Sequence, residues 1–199
     1  LSVITLKNEL EYLTEKESSR KILTLTDWET LPYDRFSPHQ DITSERLKTL
    51  SEIDHSDNTI VITSITTLMQ TLSPKEFINQ YTFFVDVGDE INLDTIRTQF
   101  VRSGYRNVGQ VFEHGEFAIR GSILDIFPMG CKLPFRIELF DNEIETIRTF
   151  DSTTQRSINE VNSIHLLPAK EFPTDENAIT RFRTAFRESF EGNPTQCPV

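Results

Sequence analysis

Residues 117–140, FAIRGSILDIFPMGCKLPFRIELF, constrain the fold of this chain more than any other stretch. β-Branched and aromatic types alternate with other residues from Phe117 to Phe127, Pro128, Met129 and Gly130 break the run, and alternation resumes from Phe135 to Phe140. A period of two sends successive side chains to opposite faces of a sheet, so the pattern predicts paired strands. With Phe135, Ile137 and Leu139 in a core, Arg136, Glu138 and Phe140 fall on the other side. Burying Phe117 and Ile119 likewise turns Ala118 and Arg120 outward. Arg120, Arg136 and Phe140 then share the polar side of a small sheet. An exposed aromatic beside guanidinium groups is the composition of a protein-interface anchor, because both supply contact area at low ordering cost. Periodicity alone leaves a second arrangement open, with Phe140 in the core at a strand end and the arginines solvated or paired to Glu138 and Asp141.

The chain around this stretch reads as two kinds of structure. Residues 1–80 alternate helix and strand. Leu6, Leu10 and Leu13 lie on one helical face over 6–16, a short strand follows at 21–25, and residues 27–41 lack a regular period and form a long loop. A helical turn or two is expected at 44–50, and TIVIT at 59–63 is a continuous apolar run suited to a buried parallel strand. Ser64 or Thr66 then caps a helix carrying Leu68, Met69 and Leu72. From 81 to 167 the pattern is a strand at 83–87 turned by Gly88, one amphipathic helix, 92–103 ended by Gly104, and then strands around 108–112, in the central stretch, at 143–150 and at 163–166. Helical spacing of Ile179, Phe182, Phe186 and Phe190 returns after Pro168, and GNPTQCPV reads as the ragged end of a fragment. The expected fold class is α/β, a parallel-sheet domain (1–80 plus 168–199) with an inserted, mostly antiparallel α+β domain (81–167).

Composition narrows the chemistry. At 199 residues, with 37% hydrophobic residues, the chain can bury a core, and no apolar run approaches the roughly 20 residues a membrane span requires. Cys131 and Cys197 make neither a disulfide framework nor a structural zinc site, which fits a reducing cytoplasm. A net charge of -11, with 20 basic residues scattered among 31 acids, argues against gripping nucleic acid. No phosphate loop and no GxGxxG arrangement occurs, so no nucleotide hydrolysis, catalysis or bound cofactor is expected. His114 reads as a loop histidine at a strand entry, the acids Glu138, Asp141, Glu143 and Glu145 as a solvated edge, and Ser37 and Ser122 lack a nucleophile elbow.

Four blocks, DWETLPYDRFSPHQD (27–41), EHGEFAIRGSILDIFPMG (113–130), FRIELFDNEIETIRTFD (135–151) and LLPAKEFPTD (166–175), resemble in order the amino-terminal module of the bacterial transcription-repair coupling factor family. UvrB shares the RG...DIFP pattern, but the short span between Trp28 and Ile60 leaves no room for its DNA-clamping aromatic hairpin. The resemblance implies a degenerate helicase-like domain interrupted by a UvrA-binding domain. It also implies a full-length protein that displaces stalled RNA polymerase from DNA with an ATP- and magnesium-dependent motor elsewhere in its chain. The family's UvrA-contacting arginines and aromatic fall on Arg120 in FAIRG, Arg136 in PFRIELF and the final phenylalanine of that block, Phe140. Leu139 stands where the family often has a second phenylalanine, and the sequence begins too late to show the degenerate nucleotide-binding loop. Two other functions stay open: a UvrB-type domain that binds DNA or uses ATP, and an autoinhibitory module packed on the motor of its own chain.

Overall fold

The computed structural model describes residues 2–14, 20–31, 34–53 and 58–189. The expected helix ends at 16 and 190, Pro32, and the 192–199 tail with Cys197 lie outside the described residues.

The first third is helical with a two-stranded parallel sheet. Helix α1 (Val3–Thr14) precedes β1 (Lys21–Leu25), and α2 (Gln40–Ile53) precedes β2 (Thr59–Thr63), which pairs with β1 in parallel from Lys21↔Thr59 to Leu25↔Thr63. Helix α2 is much longer than the turn or two expected at 44–50, and it buries Ser44, Arg46, Leu47 and Thr49. The TIVIT strand is parallel but half-covered: Ile62 is buried and Val61 is exposed. Helix α1 lies against β1 and β2 but buries no side chain fully: Leu10 is half-buried, while Leu6 and Leu13 are exposed. Two short helices follow, α3 (Ile65–Leu68), capped by Ser64 Oγ accepting the Thr67 N–H at 3.1 Å, and α4 (Lys75–Gln80).

The middle of the chain is a six-stranded sheet on one amphipathic helix. Strand β3 (Phe83–Asp86) leads to α5 (Leu93–Arg102), whose start is fixed by Asn92 Oδ1 accepting two backbone N–H groups and whose end is fixed by Gly104 at φ +98°. A side chain at Gly104 would stand 2.6 Å from Lys170 Cγ, so both the turn and the close approach need glycine. Strands β4 (Arg106–Asn107), β5 (Glu116–Arg120), β6 (Ile123–Ile126), β7 (Phe135–Phe140), β8 (Glu143–Phe150) and β9 (Ser157–Val161) lie side by side in sequence order. All neighbours are antiparallel except β4 and β5. The expected strand at 108–112 is irregular, and the 117–127 run is a hairpin, because Gly121 at φ +62° turns the chain between Arg120 and Ile123. Strand β10 (Ser163–Leu166) pairs with β3, and α6 (Glu176–Ser189) ends the described chain with no buried side chain.

The inner sheet face, with Phe117, Leu124, Ile126, Ile137, Leu139, Ile144 and Ile147, closes on Ile96 and Phe100 of α5 and on Val85, Ile164 and Leu166. Leu47 and Ile78 join the same cluster, so α2 and α4 share this core. Buried Arg46 bonds Glu171, which follows β10, and His114 reaches Asp41 Oδ1 at 2.7 Å and the Cys131 carbonyl at 2.8 Å.

Candidate protein-docking face

The outer face of the six-stranded sheet is set by register. Ala118, Asp125, Arg136, Arg148 and Glu160 stand in one row across β5 to β9, and Arg120, Ile123, Glu138 and Thr146 stand in the next. One end of this face is sealed. Ala118, Phe127 and Phe150 point outward but are buried with Val111 in a second apolar cluster, to which Gln155 Nε2 is tied by a 3.0 Å bond to the Val111 carbonyl. Ala118 is therefore outward in phase and yet inaccessible.

The other end is open. Arg120 precedes the β5–β6 turn, Phe140 precedes the β7–β8 turn, and the Leu139 N–H donates to the Ser122 carbonyl at 2.9 Å, which brings the two turns together. Strand spacing puts the Arg120 and Phe140 backbones roughly 12 Å apart, well within one interface patch. Phe140 is 72% exposed while its neighbour Leu139 is buried, as alternation requires.

The arginines are not free. Asp125 is fully buried beneath them, and its Oδ1 accepts Arg136 Nε at 2.7 Å. Its Oδ2 accepts Arg136 Nη2 at 3.0 Å and also Arg120 Nη2. Arg136 gives Nη1 to the Gln155 carbonyl at 3.2 Å and lies over the Phe150 ring, 4.8 Å from its centroid. The carboxylate hydrogen bonds push the Arg136 guanidinium pKa further up. Neither arginine pairs with Glu138 or Asp141 as the alternative from periodicity had it. Glu138 instead accepts from Arg148 at 3.3 Å, and Arg148 also bonds Glu160 at 3.1 Å. The Gln155 carbonyl is presented by a tight turn in which Asp151 Oδ1 accepts the Thr154 N–H at 2.6 Å and the Thr153 N–H at 3.1 Å.

Asp125 is the residue that sequence reasoning missed. Aspartate is depleted from strands, and one centred in a hairpin strand between Leu124 and Ile126 on the outward phase needs a cationic partner across the sheet. That signal was available in ILDIF. Among the described residues no group of three or more His, Cys, Asp or Glu side chains is arranged to hold a metal, and no helix is long and apolar enough to cross a membrane.

Residues 83–172 match the family model described as the UvrB interaction domain. The chain is 50% identical over 173 residues to the transcription-repair-coupling factor of Haemophilus influenzae, covering 87% of this chain and 15% of that protein. It is 45% identical over 190 residues to the Escherichia coli protein of the same name, covering 96% and 16%, and 36% identical over 131 residues to that of Bacillus subtilis, covering 66% and 11%. The chain thus spans about 15% of the length of the first of these curated relatives.

Proposed function

The chain belongs to the bacterial transcription-repair coupling factor family, to its amino-terminal region with the UvrB interaction domain, and from that premise we propose that its outer sheet face docks UvrA. The work of this region is recruitment, without catalysis and without a cofactor of its own. The full-length protein displaces stalled RNA polymerase from DNA in the cytoplasm with an ATP- and magnesium-driven motor, and this region brings UvrA to the site to begin excision repair. The observation that supports the reading is the grouping of Arg120, Arg136 and exposed Phe140 on one face of a sheet whose other face is the core. Phe140 supplies an aromatic anchor to be desolvated, and a planar guanidinium supplies donors to carboxylates or carbonyls of the partner.

The test separates docking from folding. Phe140→Ala removes a largely exposed ring, so unfolding should shift by less than about 0.5 kcal/mol, while loss of a central anchor costs about 2–4 kcal/mol of binding. Calorimetric titration of UvrA into the chain should therefore lose roughly 30- to 1,000-fold in affinity. Unchanged affinity, or equal losses of folding and binding, overturns the assignment. Duplex DNA in a low-salt filter assay tests the UvrB-type alternative, and the net charge of -11 predicts no retention.

A second, compatible reading rests on α1 and α6, which bury no side chain and expose Leu13, Ile179 and Phe182. Such faces suit packing against other parts of a longer protein, including its motor, which could mask the docking face. UvrA capture by this chain compared with capture by a full-length family member reads out that masking.

A further inference from the structure

Resting on the docking reading, we propose that Asp125 is the positioning residue of this face and that Arg136 acts through it, bracing the carboxylate so that Arg120 meets the partner in one fixed pose. Asp125 cannot touch a partner, since it is fully buried beneath the sheet's outer layer. Both its oxygens are engaged by guanidinium donors, two from Arg136 and one from Arg120. The two arginines are unequal. Arg136 has 17% of its side chain exposed and spends Nε, Nη1 and Nη2 on Asp125 and the Gln155 carbonyl, with its Cζ over the Phe150 ring. Arg120 has 49% of its side chain exposed, and among the described residues Asp125 is its one acceptor, reached through Nη2 alone. Nε and Nη1 of Arg120 are thus left for an incoming carboxylate or carbonyl.

The division of labour follows from chain entropy and geometry. A long cationic side chain free to rotate must be ordered on docking, which costs roughly tenfold in affinity, whereas one tethered to a buried carboxylate is ordered beforehand. The tether holds only if the carboxylate is itself immobile. Bidentate bonding to Arg136, whose own position is set by Phe150 and Gln155, supplies that immobility.

A double-mutant cycle in UvrA binding tests this. Arg136→Lys keeps the charge but loses the bidentate fork. It should weaken binding about tenfold in the otherwise wild-type chain and less than about twofold when Arg120→Gln is already present. Asp125→Asn should show the same dependence on Arg120; where that variant loses its cooperative unfolding transition, the Arg136→Lys cycle decides alone. Equal losses in both backgrounds would mean that Arg136 touches UvrA on its own account and would overturn the proposal, as would no loss in the wild-type background. If Arg120→Gln and Phe140→Ala both leave affinity unchanged, the docking reading itself has failed and the proposal falls with it.

Discussion

Replacing Glu171 by alanine should be among the most damaging single changes to the fold. Arg46 is wholly buried and Glu171 is 4% exposed, with Arg46 Nε 2.7 Å and Nη2 3.3 Å from the carboxylate oxygens. The Trp28 indole N–H donates to the same carboxylate at 3.0 Å, and the guanidinium lies 4.7 Å from the centre of the Trp28 ring. Removing the carboxylate strands a buried cation, a loss of about 3–5 kcal/mol, and orphans the indole N–H for about 1 kcal/mol more. Domains of ordinary size are stable by about 5–15 kcal/mol, so Glu171→Ala should leave the chain marginal or unfolded. Glu171→Gln, which can still accept hydrogen bonds, should cost about 1–3 kcal/mol. The double change Arg46→Met with Glu171→Leu removes both charges and should fall within about 2 kcal/mol of wild type, because well-packed apolar pairs often match buried ion pairs. Urea unfolding followed by fluorescence suits the case, since Trp28 is the one tryptophan in the chain and sits on the network. A loss below about 1 kcal/mol for Glu171→Ala, or a double variant as weak as the single, would refute the reasoning.

Three further outcomes are expected. Buried Tyr105 donates its hydroxyl to the Leu167 carbonyl at 2.6 Å, and burial pushes its phenol well up, so its ionisation should be missing from a spectrophotometric titration carried to about pH 11 on the folded chain. Tyr105→Phe should cost about 1–3 kcal/mol in urea unfolding by leaving that carbonyl unpaired. Asp151 is held below the usual carboxylate value of 3.8, first by the Thr154 N–H and then by the Thr154 hydroxyl. Its folded value lies below its unfolded one, so its stabilisation is present above about pH 3.8 and is lost as pH falls through the folded value. The melting difference between wild type and Asp151→Ala should accordingly narrow on acidification from about pH 6 to pH 3, and a constant difference would rule out that role for the carboxylate.

Much of the fold was legible because local signals agreed with one another. Helix α5 has a capping Asn92, an apolar stripe and a terminating Gly104, and its observed bounds differ from the expected 92–103 by one residue at each end. Alternation gave the inward phase of Ile137 and Leu139 in β7, whereas the side taken by Phe140, left open by periodicity, is decided by its exposure in the structure. What escaped notice has physical reasons. Strand β9, SINEV, is an edge strand exposed along most of its length, so it carries no hydrophobic alternation to find. The 117–127 run hid a turn, because a single glycine can reverse the chain without breaking the alternation on either side of it. The length of α2 was concealed by its polar residues, among them Ser44, Arg46 and Thr49, which are buried through partners far away in sequence. Asp125 belongs to the same class: what a charged residue pairs with is a tertiary fact, and only the oddity of its position is local.

The pairing across the outer face explains why the open end has the character it does. Register sets Arg136 directly opposite Arg148, and like charges facing one another across a ladder are destabilising. The sheet resolves this by flanking the pair with acids. Asp125 takes Arg136 on one side, while Glu138 and Glu160 take Arg148 on the other. Four strands are thereby committed to internal charge pairing, and a partner approaching over their centre would have to displace bonds already made. Only at the turns does the pattern run out. There Arg120 shares an acid that Arg136 already holds, and Phe140 faces Glu143 across a two-residue hairpin with no apolar partner in the cross-strand position. Among the groups left with unspent contact capacity are a half-exposed guanidinium and an exposed aromatic ring at the same end of the sheet. On the docking reading proposed above, a partner seated there would add interactions without breaking any, so the binding cost of losing Phe140 should far exceed its folding cost.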